Sequence, residues 1–383
     1  MDLRYTDAEE QFRAELRAWL TSVLPSLPPK PAVDDWQGRR VYDTRWQRML
    51  FDAGYAGINW PKEFGGRGAS PTEHLIFLEE SERARAPYVG VNFVGLLHAG
   101  PTLIAEASAE QQQRHLPAIL RGDELWCQGF SEPGAGSDLA ALRTRAVRDG
   151  DEYVISGQKI WTSHSEVADY AELLVRTDPD APKHRGISWL ILPMNSPGID
   201  VRPLRTLRDG AEFSELFLDD VRVPIANRVG AENDGWRIAM VTFSFERGTA
   251  FVSEMLQTYE LLDDLVKTVK AGGGWGDTGT RRELGHLAAD LDALWALTKR
   301  NVSQAARTGV PGVGGSVFKL HYSEMRHRLG DLAMRLLDRD ALSLGHRQVV
   351  GSLHALSLTI AAGTSQIQRN IVGERILGLP KER

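Results

Sequence analysis

Apolar residues recur at helical spacing from the start of the chain, at Phe12, Leu16, Trp19, Leu20 and Val23. Thr6 and Glu9 read as a capping box ahead of them, and Pro25 to Pro31 ends the helix. The same period predicts helices at Tyr42 to Leu50, Glu73 to Arg85 and Val91 to Leu120, the last interrupted near Gly100-Pro101. Asn59 to Gly68 is a Gly/Pro loop between them. After Gly122 the pattern changes. Short β-prone runs at Arg143 to Val147, Tyr153 to Ile155, Ala171 to Arg176, Ile187 to Leu192 and Glu215 to Val223 alternate with turn chemistry. The turns fall at Asp149-Gly150, Ser156-Gly157, Asp178-Pro179, Pro197-Gly198 and Asp209-Gly210. Such spacing predicts a small antiparallel barrel or sandwich. From Asn233 the helical period returns in four long segments, Gly235 to Val269, Thr280 to Thr308, Gly315 to Leu344 and Arg347 to Ile376, which a four-helix bundle would pack. The expected fold is therefore α+β and multidomain: an N-terminal α-helical domain over 1–122, a central antiparallel β-barrel or sandwich over 123–230, and a C-terminal four-helix bundle over 231–383.

Composition narrows the function classes. Hydrophobic residues at 42% and charged residues at 25% are those of an ordinary globular protein. A net charge of −6 gives no electrostatic case for nucleic acid or an anionic membrane. The single cysteine, Cys127, excludes an internal disulfide framework and a cysteine-based zinc site, and is expected to be a buried small residue. No signal-like N-terminus and no membrane-length apolar run appear, so the expected location is cytoplasmic. His98, His115, His164, His321 and His354 are dispersed without metal-ligand spacing, and no metal is expected.

The candidate chemistry centres on Trp126 to Leu139, where Glu132-Pro133 precedes Gly134 and Gly136, then Ser137 and Asp138. Two glycines this close allow positive φ and close backbone approach to a flat ligand, and successive N–H groups in such a turn make an anion-tolerant concavity. No Gly-Lys-Ser/Thr follows, and Leu139 stands where a dinucleotide fingerprint needs its third glycine. The residues alone describe a ligand-cradling loop.

Gln128-Gly-Phe-Ser-Glu-Pro-Gly-Ala-Gly-Ser-Asp138 resembles the signature of the acyl-CoA dehydrogenase family. Gly157-Gln-Lys-Ile-Trp-Thr-Ser163, Asp219-Asp-Val-Arg-Val-Pro224 and Gly363-Thr-Ser-Gln-Ile-Gln-Arg369 follow in that family's order. The resemblance implies a helical domain, a β-domain and a helical bundle that bind FAD. It also implies an acyl-CoA (or acyl-carrier thioester) substrate, whose α-proton goes to a carboxylate while the β-hydrogen leaves as hydride to flavin N5. By the same resemblance, Gln128, Phe130 and Ser131 contact the isoalloxazine ring, Trp161 packs beside it and Ser163 meets its N5 side. Gly136 and Ser137 fall where the loop approaches pyrophosphate or thioester, and Thr364 and Gln366 match FAD contacts from the last helix. Without its motif, Trp161 would read as a core aromatic. Electron-transfer flavoprotein is the implied acceptor, and a homodimer or homotetramer the implied assembly.

The chain departs from the pattern at the base. Ala362 occupies the position of the usual glutamate and cannot take a proton. Some members carry the glutamate on the first bundle helix, directly before an arginine, and Glu246 and Arg247 match that arrangement within a nearly apolar segment. A buried carboxylate there is costly and commonly functional. Members of that subgroup take branched or longer acyl chains, so a branched or bulky substrate is expected. Two motifs for the adenosine half of FAD are also altered: Gly272-Gly-Gly-Trp-Gly276 replaces an Arg-x-x-Phe-Gly, and Leu336-Leu-Asp-Arg339 stands near a missing Gly-Gly-x-Gly. These departures keep two alternatives open, a flavin-dependent monooxygenase on the same fold and a non-catalytic partner subunit of a hetero-oligomer.

Overall fold

The computed structural model describes residues 4–249, 251–308 and 314–381. In chain order the helices are α1 (Asp7–Val23), α2 (Trp36–Asp52), α3 (Pro71–Arg83), α4 (Gly100–Glu106), α5 (Ala109–Arg121), α6 (Gly235–Thr249), α7 (Val252–Ala271), α8 (Thr278–Thr308), α9 (Gly314–Leu336), α10 (Arg347–Leu358) and α11 (Ser365–Ile371). The strands, all between α5 and α6, are β1 (Trp126–Gly129), β2 (Arg145–Asp149), β3 (Glu152–Ser163), β4 (Tyr170–Arg176), β5 (Ile187–Pro193), β6 (Ile199–Leu204), β7 (Phe213–Pro224) and β8 (Arg228–Val229). Packing groups these elements into two compact units. One comprises Met1–Ser22, Ser70–Ala86 and Arg247–Arg383, and the other Val23–Ala69 and Pro87–Glu246.

The unit that holds the strands is built on one eight-stranded sheet of order β6-β7-β3-β2-β4-β5-β8, with β1 pairing β4. Most pairs are antiparallel, but β1 runs parallel to β4. Inward-facing Tyr153, Ile155, Leu173, Leu190, Leu218 and Val221 form its core with Cys127. The interruption expected at Gly100-Pro101 falls instead at Ala107-Ser108. Pro101 falls where a π-helical turn at Gly95–Ala99 passes without a break into α4, so the helix runs through the proline. Ser108 and Gln111 form the capping box that starts α5, and left-handed Gly122 ends it.

The other unit packs α1 and α3 with α7–α11. Its core includes Leu75 and Leu78 of α3 with Met255, Leu265, Leu291 and Tyr322. Arg13 and Arg17 on α1 reach the buried Glu80 of α3 at 2.9 and 2.8 Å. The long C-terminal segments differ from expectation at three places. The first divides into α6 and α7, the third ends at Leu336, and the fourth divides into α10 and α11. Ala362 (φ 51°) and Gly363 (φ 85°) turn the chain between the last two, and Thr364 caps α11 through a bond from Ile367 N (3.2 Å). No helix among the described residues is long and apolar enough to cross a membrane.

Candidate active site

The glycine-bearing loop is fixed by hydrogen bonds before any ligand is considered. Glu132 and Ala135 exchange N–H···O bonds across a tight turn. The Glu132 carboxylate accepts from Arg143 N (2.7 Å), Thr144 N (2.8 Å) and Lys159 Nζ (2.8 Å). Lys159 Nζ also donates to the Phe130 carbonyl (3.1 Å), and Ile160 N to the Ser131 carbonyl (2.9 Å). Residues 130–135 are thereby tied to β3. Burial pushes the Lys159 ammonium down to about 8, against the pull of Glu132. Burial also penalises the Glu132 charge, yet Lys159 and the donors around it hold its carboxyl below the ordinary value.

Gly134 and Gly136 serve differently from expectation. Neither adopts a positive φ, and a Cβ at either would meet nothing within 4 Å. What they keep is open space over the turn. Phe130 is buried, Ser131 half-buried, and Gly136 and Ser137 are exposed along that space.

Towards the far end of β3, Trp161 lies within a break in the β3–β7 register between Lys159 and Thr162, and Ser163 lies just beyond it. Trp161 is left-handed (φ 63°) and 58% exposed, with its ring edge-on to Phe213 at 5.9 Å. It is not a core aromatic. A bulky residue at positive φ is strained, and such strain gathers at functional sites. Ser163 pairs with Phe213 in register, half-buried. On either side of it, Thr162 Oγ1 and His164 Nδ1 are buried with no hydrogen-bond partner. Burial and, secondarily, Arg39 push the His164 imidazole down to about 4, and its ring lies 5.2 Å from Trp36 and 5.8 Å from Phe93. Orphaned polar atoms beside an exposed aromatic and an open glycine turn suit a flat ligand with a polar edge.

Helix α6 joins the same unit through Thr242 and Phe243. Thr242 Oγ1 lies 2.9 Å from Thr102 Oγ1, and the Phe243 ring meets Phe130 edge-on at 5.9 Å. Positions three and four residues further along a helix share a face. Position 246 therefore falls on the face that carries Thr242 and Phe243. Glu246 and Arg247 belong to α6, but their side chains lie outside the described residues.

Arg247, Thr364 and Gln366 belong to the other unit. There Gln366 is exposed, and Thr364 spends its oxygen capping α11, which leaves its O–H to donate. Lys319 Nζ holds the Gly363 carbonyl at 2.5 Å and Gln368 Nε2 the Ala362 carbonyl at 2.9 Å, so the turn is pinned on both sides. At the altered motif, Lys270 Nζ lies over the Trp275 ring at 4.7 Å, and Arg281 donates to the Trp275 carbonyl at 2.5 Å.

No sequence motif marks Glu172. It stands in register with Gln128 across the β1–β4 pair, is fully buried, and accepts from Gln128 Nε2 at 2.7 Å. Its signal was a carboxylate inside the apolar run of β4. Cys127 is buried beside it, and that burial pushes the thiol up. His98 and His115 are buried, His164 is half-buried with its Nδ1 enclosed, and His321 and His354 are partly exposed. Among the described residues no group of three or more His, Cys, Asp or Glu could hold a metal ion.

Family models for the acyl-CoA dehydrogenase N-terminal, middle and C-terminal domains match residues 6–123, 127–221 and 233–377. The chain is 37% identical over 383 residues to acyl-CoA dehydrogenase IpdE1 of Mycobacterium tuberculosis, covering 97% of this chain and 98% of that protein. Among solved structures it resembles the ChsE4-ChsE5 complex from Mycobacterium tuberculosis (TM-score 0.85, 34% identity, 100% of both chains). It also resembles the Tcur3481-Tcur3483 steroid ACAD (TM-score 0.83, 33% identity, 100% of both chains). With these matches along its whole length, over a fold whose glycine turn is clamped to a strand carrying an exposed, strained tryptophan, the chain belongs to the acyl-CoA dehydrogenase family of FAD-dependent oxidoreductases.

Proposed function

We propose that this chain oxidises a bulky, branched or ring-bearing acyl-CoA to its trans-2-enoyl product, with Glu246 taking the α-proton. One observation carries the base assignment. Position 246 lies on the face of α6 whose Phe243 ring meets Phe130 of the clamped loop. Ala362, at the alternative position, has no group that accepts a proton. Arg247 follows Glu246 as the neighbouring arginine of the same motif.

FAD, when bound, supplies the acceptor for the β-hydrogen and its electron pair. Gln128, Phe130, Ser131, Trp161 and Ser163 would seat its ring, with Gly136 and Ser137 leaving room for pyrophosphate or thioester. Thr364 and Gln366 would bind it from the last helix. The orphaned Thr162 Oγ1 and the open space over Gly134 and Gly136 fit that occupant. The Glu132–Lys159 clamp holds the seat in place in advance, so little reorganisation is required on binding.

The substrate class is supported by the Tcur3481-Tcur3483 protein, a steroid ACAD. Electron-transfer flavoprotein is the proposed acceptor. Anaerobic titration of the purified flavoprotein with straight-chain, branched and ring-bearing CoA thioesters tests this function. Flavin bleaching by the bulky classes at lower concentration supports it, and bleaching by none of them contradicts it.

The assembly has two candidates. A homodimer or homotetramer follows from the family pattern. Assembly with a related but different chain is supported by the arginine-free turn at Gly272–Gly276 and by the two-chain ChsE4-ChsE5 complex. Expressed alone, a self-sufficient chain purifies yellow with FAD, and one that needs a partner purifies pale.

A further inference from the structure

Helices and strands tolerate buried carboxylates poorly, and β4 contains one. Ala171, Leu173, Leu174 and Val175 around Glu172 are all fully buried, so a leucine or valine at 172 would cost no desolvation. Glu172 is instead the register partner of Gln128 and accepts from its Nε2 at 2.7 Å. His98 Nδ1 lies 3.9 Å from the same carboxylate oxygen, beyond hydrogen-bonding distance.

A side-chain amide can present either its oxygen or its NH2 to a neighbour, and the two ends look alike in shape. A carboxylate removes that freedom, because its oxygens only accept. The NH2 end of Gln128 must face Glu172, since the reverse orientation would oppose two oxygens. Gln128 itself is half-buried, at the entrance to the clamped loop.

We propose that Glu172 is a positioning residue: it locks the Gln128 amide so that Oε1, an acceptor, is presented to an N–H-bearing edge of the flavin ring. This rests on the flavin-contact role proposed above for Gln128. The carboxylate lies in the neighbouring strand and acts on the ring through that amide.

Four variants test it by FAD binding to apoprotein and by the position and shape of the bound flavin's visible absorption bands. Gln128→Leu removes the contact, and Glu172→Leu removes the lock while leaving the Gln128 amide in place. Gln128→Glu opposes two carboxylates. The exchange Gln128→Glu with Glu172→Gln rebuilds the pair with donor and acceptor swapped, and still leaves an oxygen toward the ring. Expected are a rise of about tenfold or more in the FAD dissociation constant for each single variant, the scale of one lost oriented hydrogen bond, with altered bands. The exchange restores both. Parental binding and bands in Glu172→Leu, or an exchange no better than Gln128→Glu, would overturn the role of Glu172. Parental binding and bands in Gln128→Leu would overturn the Gln128 contact itself. If Glu172→Leu fails to fold, the comparison of Gln128→Glu with the exchange decides.

Discussion

Lys159 and Glu132 meet at 2.8 Å in the interior, and each also binds backbone groups on either side of the signature turn. Lys159 takes the Phe130 carbonyl, and Glu132 takes the N–H groups of Arg143 and Thr144. The pair joins the signature loop to β3 as one rigid piece. Removing one member leaves the other buried and unpaired, which costs far more than the pair contributes. Lys159→Met should therefore lower unfolding stability by about 3 kcal/mol and release FAD, as measured by denaturant unfolding and flavin content.

Trp161 should behave in the opposite way. Its ring is mostly exposed and its backbone left-handed, so little packing is lost on truncation. Trp161→Gly should change stability by no more than about 1 kcal/mol, because relief of the strained φ offsets the lost ring contact. The same change should lower kcat/KM sharply. Thermal unfolding beside steady-state kinetics separates the two effects.

The parts of this protein that were legible in its sequence are those where local chemistry and packing agree. The capping box at Thr6 and Glu9, the turns at Asp149-Gly150 and Pro197-Gly198 and the runs that became β4, β5 and β7 show directly in the residues, whereas Ser156-Gly157, expected as a turn, lies inside β3 at a register shift. β6 (Ile199–Leu204) did not, because half its positions are exposed, at Asp200, Arg202 and Pro203, which leaves only short apolar stretches. The end of α10 was hidden because Ala362, a good helix former, is held left-handed by the bond from Gln368 to its carbonyl. The residues proposed to face the flavin were visible only through the family motifs. Glu172 has no motif, and its partner Gln128 lies on another strand, so only tertiary pairing reveals it.

Ala362 carries strain that can be measured. A non-glycine residue at φ 51° costs about 1–2 kcal/mol, of which the added chain freedom of glycine returns a part. Ala362→Gly should raise stability by about 0.5–1 kcal/mol in thermal unfolding without altering substrate preference.

Buried histidines are expected to lower stability in acid. Burial holds His74 and His98 at about 4, and burial with Arg39 holds His164 there, against an ordinary value of 6.5. The folded state keeps these bases neutral while the unfolded chain protonates them. Their contribution is complete above 6.5 and is lost as pH falls from 6.5 toward 4, by on the order of 3 kcal/mol per histidine. Unfolding free energy measured from pH 7 to pH 4 should fall steeply, and His98→Leu should flatten the slope.

The base assignment is tested most directly by anaerobic single-turnover reduction with a ring-bearing acyl-CoA, comparing the parent with Glu246→Gln at equal FAD content. With Glu246 as the base, flavin bleaching in the variant should slow by about 10²–10⁴-fold while FAD binding and the flavin spectrum stay parental. Bleaching at the parental rate in Glu246→Gln would contradict the assignment and move the proton acceptor elsewhere.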